Sequence, residues 1–328
     1  MKPGIQCVRT QRIPGFIAFR RPCVILMAGV AVPGERSLGE HTRRAARTFG
    51  AAADHYSLAA LDFWDRFGAA TVARLPLAAG HTILDVCCGA GASAIPAARV
   101  AGPAGRVLGI DVAKPLLELA RARAAREGLA NIGFRYGDAT RTTLADGSFD
   151  AVICVFGVFF APDMAGFVAE MWRLVRPGGV LAVTTWGPGL FEPANTVFWE
   201  SVRDVEPSLF KAFKPWDEIT TEAALADLLL RGGVEYPAVM AVPGRHQLDH
   251  PDRFWDIVLG SGYRATIDAL SQEQRDLVRR RVLGELRSDG IESVRTDVVF
   301  GTAQRREYPS RLSPDRRDPV HEASRPTG

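Results

Sequence analysis

The fold of this 328-residue chain is decided by the stretch Ile83-Leu84-Asp85-Val86-Cys87-Cys88-Gly89-Ala90-Gly91-Ala92-Ser93-Ala94. An apolar strand here ends in an acid, and a Gly-x-Gly turn then leads the chain into a helix. Backbone N–H groups and the dipole at such a helix start can hold a charged ligand against bare main chain. Asp85 is the discriminating residue, because a carboxylate before the turn repels a pyrophosphate and suits a ligand that carries an ammonium group.

Strands and helices alternate along the chain around this stretch. The apolar patterns predict strands at 82–86, 107–111, 132–136, 151–155, 180–185, 238–242 and 294–300. They predict helices from 92 onward and at 114–126, 167–174, 221–231, 251–259 and 271–286. Short β-rich runs that alternate with longer amphipathic ones indicate βαβ crossovers, so we expect an α/β fold with a parallel sheet covered by helices on both faces.

The remaining segments surround this α/β region. Residues 41–80 carry apolar side chains at helical spacing and predict an N-terminal helical cover. We place the α/β domain at 81–302, with substrate-side insertions at about 188–220 and 250–290. Residues 303–328 are rich in Pro and Arg and lack periodicity, so we expect a disordered tail there.

Residues 1–40 predict a disordered or extended N-terminal arm whose start has several interpretations. Arg20 and Arg21 precede an apolar run up to Val32, which is the outline of a secretory signal. The alternatives are an upstream extension before an initiator at Met27, and a disordered arm. The apolar run is too short to span a bilayer, so we expect no stable membrane insertion.

Charge and cysteine content exclude several classes of function. The formal net charge is +3, but residues 1–47 carry +7 and residues 303–328 carry +2, which leaves −6 on residues 48–302. A nucleic-acid surface on the folded part is therefore not expected. The five cysteines form no C-x-x-C pair and have no histidine cluster nearby, so we expect no metal site and a cytoplasmic protein.

The glycine turn alone leaves two kinds of nucleotide ligand open. Gly89-x-Gly91-x-x-Ala94 also fits a dinucleotide fingerprint, with Asp111 as the acid that takes ribose hydroxyls. Asp85 argues against a pyrophosphate, and Gly137-Asp138-Ala139 after the third strand supplies an acid that can accept from an adenine amine. No tyrosine-lysine dyad or hydride-relay histidine follows. These features favour an adenosyl ligand that lies across three strand ends.

Five short motifs follow one another along the chain. They are Leu84-Asp85-Val86-Cys87-Cys88-Gly89-Ala90-Gly91, Gly109-Ile110-Asp111, Gly137-Asp138-Ala139, Asp146-Gly147-Ser148-Phe149-Asp150-Ala151-Val152 and Leu174-Val175-Arg176-Pro177-Gly178-Gly179. Together they resemble the class I S-adenosylmethionine-dependent methyltransferases of the ubiquinone/menaquinone-biosynthesis-like branch (methyltransferase type 11), over about residues 45–187. The resemblance implies a Rossmann-like, doubly wound, seven-stranded, mostly parallel sheet with the last strand antiparallel. It also implies S-adenosyl-L-methionine over the carboxyl ends of the first strands.

The resemblance further implies roles for individual residues. The methionine part would lie on Asp85, Cys87, Gly89 and Gly91, the ribose on Asp111 beside Val112, the adenine edge on Asp138 and Ala139, and the sulfonium side on Phe156. This chain departs from the usual family pattern at Cys87, where glycine is commonest, although a Cys-Cys version is familiar in the quinone branch. Structural roles compete with these, since Asp111 can cap the next helix and Asp138 can serve an ordinary turn.

Methyl transfer from a sulfonium is a direct displacement, so aligning the acceptor is the main requirement. A phenol, enol or ring-carbon acceptor also needs a base, and the candidate histidines are His55, His246 and His250. In the resembling proteins the N-terminal helical segment folds over the cofactor. We therefore take His55 or Tyr56 as the first catalytic candidates, against surface roles for both.

Aromatic residues fall in the segments expected above the strand ends. They are Phe63, Trp64, Phe159, Phe160, Trp186, Phe191, Trp199 and Trp216. If half of them line the cavity, the acceptor is a small apolar or aromatic molecule, such as a quinone precursor or a natural product of secondary metabolism. The alternatives to a methyltransferase are a nucleotide-dependent oxidoreductase and a non-catalytic S-adenosylmethionine-binding module. The chain is expected to be a monomer or a homodimer.

Overall fold

The computed structural model describes residues 38–212 and 214–307, which contain a seven-stranded sheet with helices packed on both faces. The strands are β1 (Thr82–Val86), β2 (Arg106–Asp111), β3 (Ile132–Tyr136), β4 (Phe149–Val155), β5 (Val175–Trp186), β6 (Ala238–Val242), β7 (Arg245–Gln247), β8 (Ser293–Arg295) and β9 (Val298–Gln304). The sheet order is β3-β2-β1-β4-β5-β9-β6, and β7 pairs with β8 separately. Strands β1 to β5 are parallel, while β9 is antiparallel to both of its neighbours. The predicted fold class is confirmed.

Helices connect and cover these strands. They are α1 (Glu40–Ala52), α2 (Phe63–Val72), α3 (Ala94–Ala101), α4 (Lys114–Arg126), α5 (Met164–Leu174), α6 (Ala194–Val205), α7 (Glu222–Arg231), α8 (Phe254–Leu259), α9 (Arg264–Ala269) and α10 (Gln272–Ser288). Side chains cap the N-termini of several helices. The Asp163 carboxylate accepts from the Gly166 N–H at the start of α5, and the Ser271 hydroxyl accepts from the Gln274 N–H at the start of α10. In the part of the chain that the structure describes, no helix is long and apolar enough to cross a membrane.

The strand order positions the site. β2 and β3 lie on one side of β1, and β4 and β5 lie on the other, so the winding reverses at β1. The register sets Val86 of β1 beside Ile110 of β2 and Cys154 of β4, and the chain therefore leaves all three strands at the same edge. In open α/β sheets, ligands bind in the crevice at this switch point.

Alternation along β1 divides the core between the two faces of the sheet. Ile83 packs on one face with Ala94 and Ala98 of α3, whereas Leu84 and Val86 pack on the other. These three β1 side chains have no solvent exposure. Burial of such a side chain stabilises the fold by about 1.5–3 kcal/mol, which fixes the strand whose end carries the glycine turn.

Several predicted boundaries need correction. The predicted strand at 294–300 is two strands, β8 and β9, because the chain crosses there from the small sheet to the large one. Strand β9 continues to Gln304, into the segment predicted as a disordered tail. Helix α6 within 188–220 was not predicted. Of the predicted arm at 1–40, the structure describes the last three residues, of which Leu38 is buried and Glu40 begins α1.

Candidate active site

A cavity of about 710 Å³ opens at the carboxyl ends of β1 to β4 and has two chemically distinct halves. We call one the polar half; it is lined by Cys87, Cys88, Gly89, Ser93, Asp111, Val112, Asp138, Ala139 and Thr140. We call the other the aromatic half; it is lined by Trp64, Phe159, Phe160, Trp186, Phe191, Trp199 and Trp216. Phe156, directly after β4, lines the cavity where the two halves meet. The volume is in the range of small-molecule and cofactor pockets.

Asp111 at the end of β2 fixes the glycine turn. One carboxylate oxygen accepts from the Gly89 N–H at 2.8 Å, and the other accepts from the Ala113 N–H at 2.7 Å. Burial raises the pKa of this carboxyl, and the backbone donors oppose that rise. Each oxygen can accept a second hydrogen bond, so Asp111 can also receive the two hydroxyls of a ribose.

Asp138 joins the third strand end to the N-terminal helix. Its Oδ1 accepts from the backbone N–H of Thr140 at 2.9 Å and from the Thr140 hydroxyl at 2.7 Å. Its Oδ2 accepts from the Thr42 hydroxyl of α1 at 3.3 Å. Helix α1 therefore contacts the polar half through Thr42.

Asp85 lies beneath the turn and does not line the cavity. It has no solvent exposure, and its Oδ2 accepts from the hydroxyl of Ser93, which does line the cavity, at 2.8 Å. Burial raises the pKa of Asp85 to about 7. Its Oδ1 has no hydrogen-bond partner among the described residues. A buried acceptor of this kind is costly unless a donor reaches it, and a ligand ammonium is a donor of the right charge.

Two non-glycine residues adopt left-handed backbone at adjacent strand ends. Cys87 after β1 has φ +56°, and Phe156 after β4 has φ +54°. This conformation favours glycine, so a side chain at Cys87 has to be accommodated by its surroundings. A Cβ on Gly157 would lie 2.5 Å from the Cys87 Cβ, so the absence of a side chain at Gly157 makes room for Cys87. Such strain costs about 1–3 kcal/mol per residue and is concentrated at ligand sites.

Stacked rings build the aromatic half. The rings of Phe156 and Trp186 stack with centroids 3.7 Å apart and planes 10° apart, and Trp64 lies 5.7 Å from each of these rings. Seven of the eight aromatic residues predicted above the strand ends line the cavity. The exception is Phe63, which has no solvent exposure and belongs to the core. The prediction of an aromatic cavity is confirmed.

The predicted site residues are thus placed as follows. Cys87, Gly89, Asp111, Val112, Asp138, Ala139 and Phe156 line the cavity. Asp85 and Gly91 lie behind that surface; a Cβ on Gly91 would approach the Ile95 side chain at 3.1 Å. Their roles toward a cofactor stay predictions.

The catalytic candidates are less favourably placed. Tyr56 lines the cavity and stacks on Trp64 at 5.5 Å, but burial raises the pKa of its hydroxyl, which therefore stays protonated. His55 is outside the lining and lies 2.7 Å from the Asp54 carboxylate. His246 is buried against Phe63 and outside the cavity lining, and His250 caps a short 3₁₀ turn. The geometry favours neither His55 nor Tyr56 as a base.

Sequence reasoning missed a group of polar residues that come from α1, the insertion and the segment after α8. They are His41, Thr42, Arg44, Lys211, Lys214, Ser261 and Tyr263. One signal was present in the sequence, since the chain has four lysines among its 40 Lys and Arg residues, and two of the four lie within the predicted insertion.

Comparisons with known sequences define the class. A family profile described as a methyltransferase domain matches residues 83–179. The nocamycin O-methyltransferase of Saccharothrix syringae is 32% identical over 184 residues, which are 56% of this chain and 59% of that protein. The demethylmenaquinone methyltransferase of Lactococcus lactis is 34% identical over 45% of this chain and 59% of its own length. That of Listeria monocytogenes is 30% identical over 52% of this chain and 77% of its own length. The match therefore spans about three-fifths of the length of the first two relatives.

Solved structures agree with the fold. The YcgJ protein of Bacillus subtilis superposes with a TM-score of 0.50 at 18% identity, over 74% of this chain and 100% of its own. A Haemonchus contortus phosphoethanolamine N-methyltransferase 2, solved with S-adenosylhomocysteine, superposes with a TM-score of 0.52 at 18% identity. The superposition covers 82% of this chain and 61% of that protein's chain. The fold is that of the Rossmann-like methyltransferases. With the sequence relatives, it shows that the chain belongs to the class I S-adenosylmethionine-dependent methyltransferases, in the ubiquinone/menaquinone-like branch. The cofactor of this family is S-adenosylmethionine.

Proposed function

We propose that this protein transfers a methyl group from S-adenosylmethionine to a small, apolar or aromatic acceptor. One observation carries the proposal: a single cavity joins the strand-end acids and glycine turn to a half lined by seven aromatic side chains. The polar half offers what an adenosyl group and a methionine ammonium need. The aromatic half is adjacent, so an acceptor there lies next to the cofactor without crossing solvent.

We assign the parts of the cofactor to the polar half and to the acid behind it residue by residue. Asp111 would take the ribose hydroxyls, and Asp138 with Ala139 would take the adenine edge. Asp85 would attract the ammonium group from behind Ser93, because it is an acid next to the lining and its Oδ1 is unpartnered among the described residues. The turn at Gly89 would carry the methionine part, and Phe156 would face the sulfonium.

The cofactor, when bound, supplies a methyl group on a positively charged sulfur. The residues of this chain position the acceptor behind that methyl group and exclude water from it. Phe156 and Trp186 are nearly fully buried and stacked, so they form a rigid wall at the meeting point of the two halves. Positioning of this kind can supply about 7–11 kcal/mol of the activation barrier at most.

The relatives suggest the acceptor class. The names of two of them refer to demethylmenaquinone and to nocamycin, a quinone precursor and a natural product. The aromatic half would suit flat or polycyclic molecules of either kind. We propose a small-molecule acceptor of this class rather than a nucleic acid, with a reducing cytoplasm as the compartment because the described cysteines Cys87, Cys88 and Cys154 are free thiols.

The first test is calorimetric titration with S-adenosylhomocysteine, followed by turnover assays with S-adenosylmethionine that carries a labelled methyl group. We expect one site per chain and label transfer to at least one member of a panel of demethylated quinones and polyketide phenols. Absence of binding at millimolar ligand would overturn the proposal. Binding without transfer to any member of the panel or to a cell extract would indicate a non-catalytic module.

A further inference from the structure

We propose that the acceptor carries an oxyanion group on its aromatic body, and that Lys211 and Lys214 bind this group beside Trp199 in the aromatic half. The inference rests on the proposed function and specifies its substrate class. It follows from the charges, the buried polar atoms and the ring contacts of the residues that line this half.

The two lysines converge on one ring. The ammonium of Lys211 lies 5.5 Å from the centroid of the Trp199 ring, and that of Lys214 lies 5.6 Å from it. Both side chains are half-buried and line the cavity. Neither has a carboxylate at ion-pair distance among the described residues. Two ammonium groups near one aromatic ring supply positive charge beside that ring, to which an anion can bind.

The cations that line the cavity come from α1 and from the insertion. Arg44 of α1 also lines the cavity, while Glu218 is the acid lining it from the insertion. The other two acids that line the cavity, Asp111 and Asp138, belong to the polar half. Burial lowers the pKa of Lys211, and repulsion from Arg44 lowers it further. A bound oxyanion would relieve both effects, because it supplies the opposite charge inside the cavity.

Buried polar atoms without partners, on residues of the same cavity lining, are the independent observation. Trp199 is 5% exposed and Ser261 is 4% exposed, and both line the cavity. The Nε1 of Trp199 and the Oγ of Ser261 have no hydrogen-bond partner among the described residues. Lys211 gives one hydrogen bond, to the Thr266 hydroxyl at 3.1 Å, and so has further N–H donors to offer. Buried donors without partners are costly, and a ligand oxyanion is an acceptor that can satisfy them.

The experiment compares two fluorescent probes with the same ring body on the full chain saturated with S-adenosylhomocysteine. 8-Anilinonaphthalene-1-sulfonate carries an oxyanion, and N-phenyl-1-naphthylamine lacks it. We expect the parent protein to bind the sulfonate about tenfold more tightly than the neutral probe. 2-Naphthoate and 2-naphthyl phosphate, used as competitors, distinguish a carboxylate from a phosphate as the preferred oxyanion.

Substitution of the two lysines tests whether they cause the preference for the sulfonate probe. In the double variant Lys211→Gln, Lys214→Gln we expect the preference to fall to about twofold or less, with binding of the neutral probe unchanged. The charge-matched control is Arg106→Gln with Arg280→Gln, two exposed positions outside the cavity lining, which should keep the full preference.

Three results would overturn the inference. They are equal binding of the two probes by the parent, the same loss of preference in the control, and weakened S-adenosylhomocysteine binding in the lysine variant, which would assign the lysines to the cofactor carboxylate. Failure of the proposed function is separate from these, because it would show as absent S-adenosylhomocysteine binding by the parent protein.

Discussion

The two halves of the cavity are built in different ways. The polar half comes from the ends of adjacent parallel strands, and main-chain hydrogen bonds to Asp111 hold its shape. The aromatic half is assembled from α2, the segment after β4, the end of β5 and the insertion at 188–220, and ring packing holds it together. The polar half is therefore specified by short local motifs, whereas the aromatic half depends on contacts between distant parts of the chain. Substitutions in one half should leave binding in the other unchanged.

The largest effect is expected at Asp111. Asp111→Ala removes the acceptor for two ribose hydroxyls and for the Gly89 N–H, so S-adenosylhomocysteine affinity should fall by about 1.5–3 kcal/mol, roughly tenfold to hundredfold. Calorimetry measures this loss, and Glu118→Gln, at an exposed acid on α4, is the control. Binding of N-phenyl-1-naphthylamine should not change. Unaltered cofactor affinity would remove Asp111 from the site.

The next effect is a pH dependence that originates at Asp85. Its pKa is about 7 in the free protein, and a ligand ammonium favours the ionised carboxylate. Below pH 7 binding must therefore release a proton, and the dissociation constant of S-adenosylhomocysteine should rise about tenfold from pH 8 to pH 6.

Asp85→Asn tests the origin of that slope. The amide oxygen can still accept from Ser93 but does not titrate, so the variant should bind weakly at every pH with a flat profile between pH 6 and pH 8. Asp111 also has a raised pKa, and a slope that survives in Asp85→Asn would assign the titration to that residue.

A smaller effect is expected from the aromatic half. Trp216 is half-buried, lines the cavity and packs edge-on against Phe159 at 5.5 Å. Trp216→Ala should weaken N-phenyl-1-naphthylamine binding by about 0.5–1.5 kcal/mol, with cofactor affinity within twofold of the parent. Tyr236→Ala, at an exposed aromatic residue outside the lining, is the matched control. Equal losses for both ligands would show that the halves are not independent.

The smallest effect tests the link between α1 and the polar half. The hydrogen bond from Thr42 to Asp138 is long, at 3.3 Å, and partly exposed. Thr42→Val removes the donor with little change of shape, so S-adenosylhomocysteine affinity should fall by about 0.5–1 kcal/mol. Thr196→Val on α6, outside the cavity lining, is the control in the same titration. A loss as large as that of Asp111→Ala would mean that α1 organises the polar half.

Local sequence predicted the bounds of several elements of the fold. The bounds of β1, β3, β6 and α4 agree with the predicted ones, because apolar periodicity and turn residues act over a few positions. The interruption between β8 and β9 at Thr296 and Asp297 could not be predicted from such local patterns. Asp297 accepts from the Gly244 N–H and pairs with Arg295, and such contacts depend on where the two sheets lie.

The candidate site also combines features that local motifs predict with features that depend on packing. The motifs predicted seven residues that line the cavity, but burial of Asp85 behind Ser93 is a property of the packed turn and not of the motif. The contact of Thr42 with Asp138 joins residues 96 positions apart. The convergence of Lys211 and Lys214 on Trp199 likewise depends on how the insertion packs on α6.

The most direct test of the two-half cavity is a crystal structure of the chain with S-adenosylhomocysteine. We expect the ribose hydroxyls within hydrogen-bond distance of the Asp111 carboxylate, the adenine beside Asp138 and Ala139, and the sulfur facing Phe156 and the aromatic half. A ligand bound outside the cavity, or one whose adenine occupies the aromatic half, would contradict the assignment of the two halves.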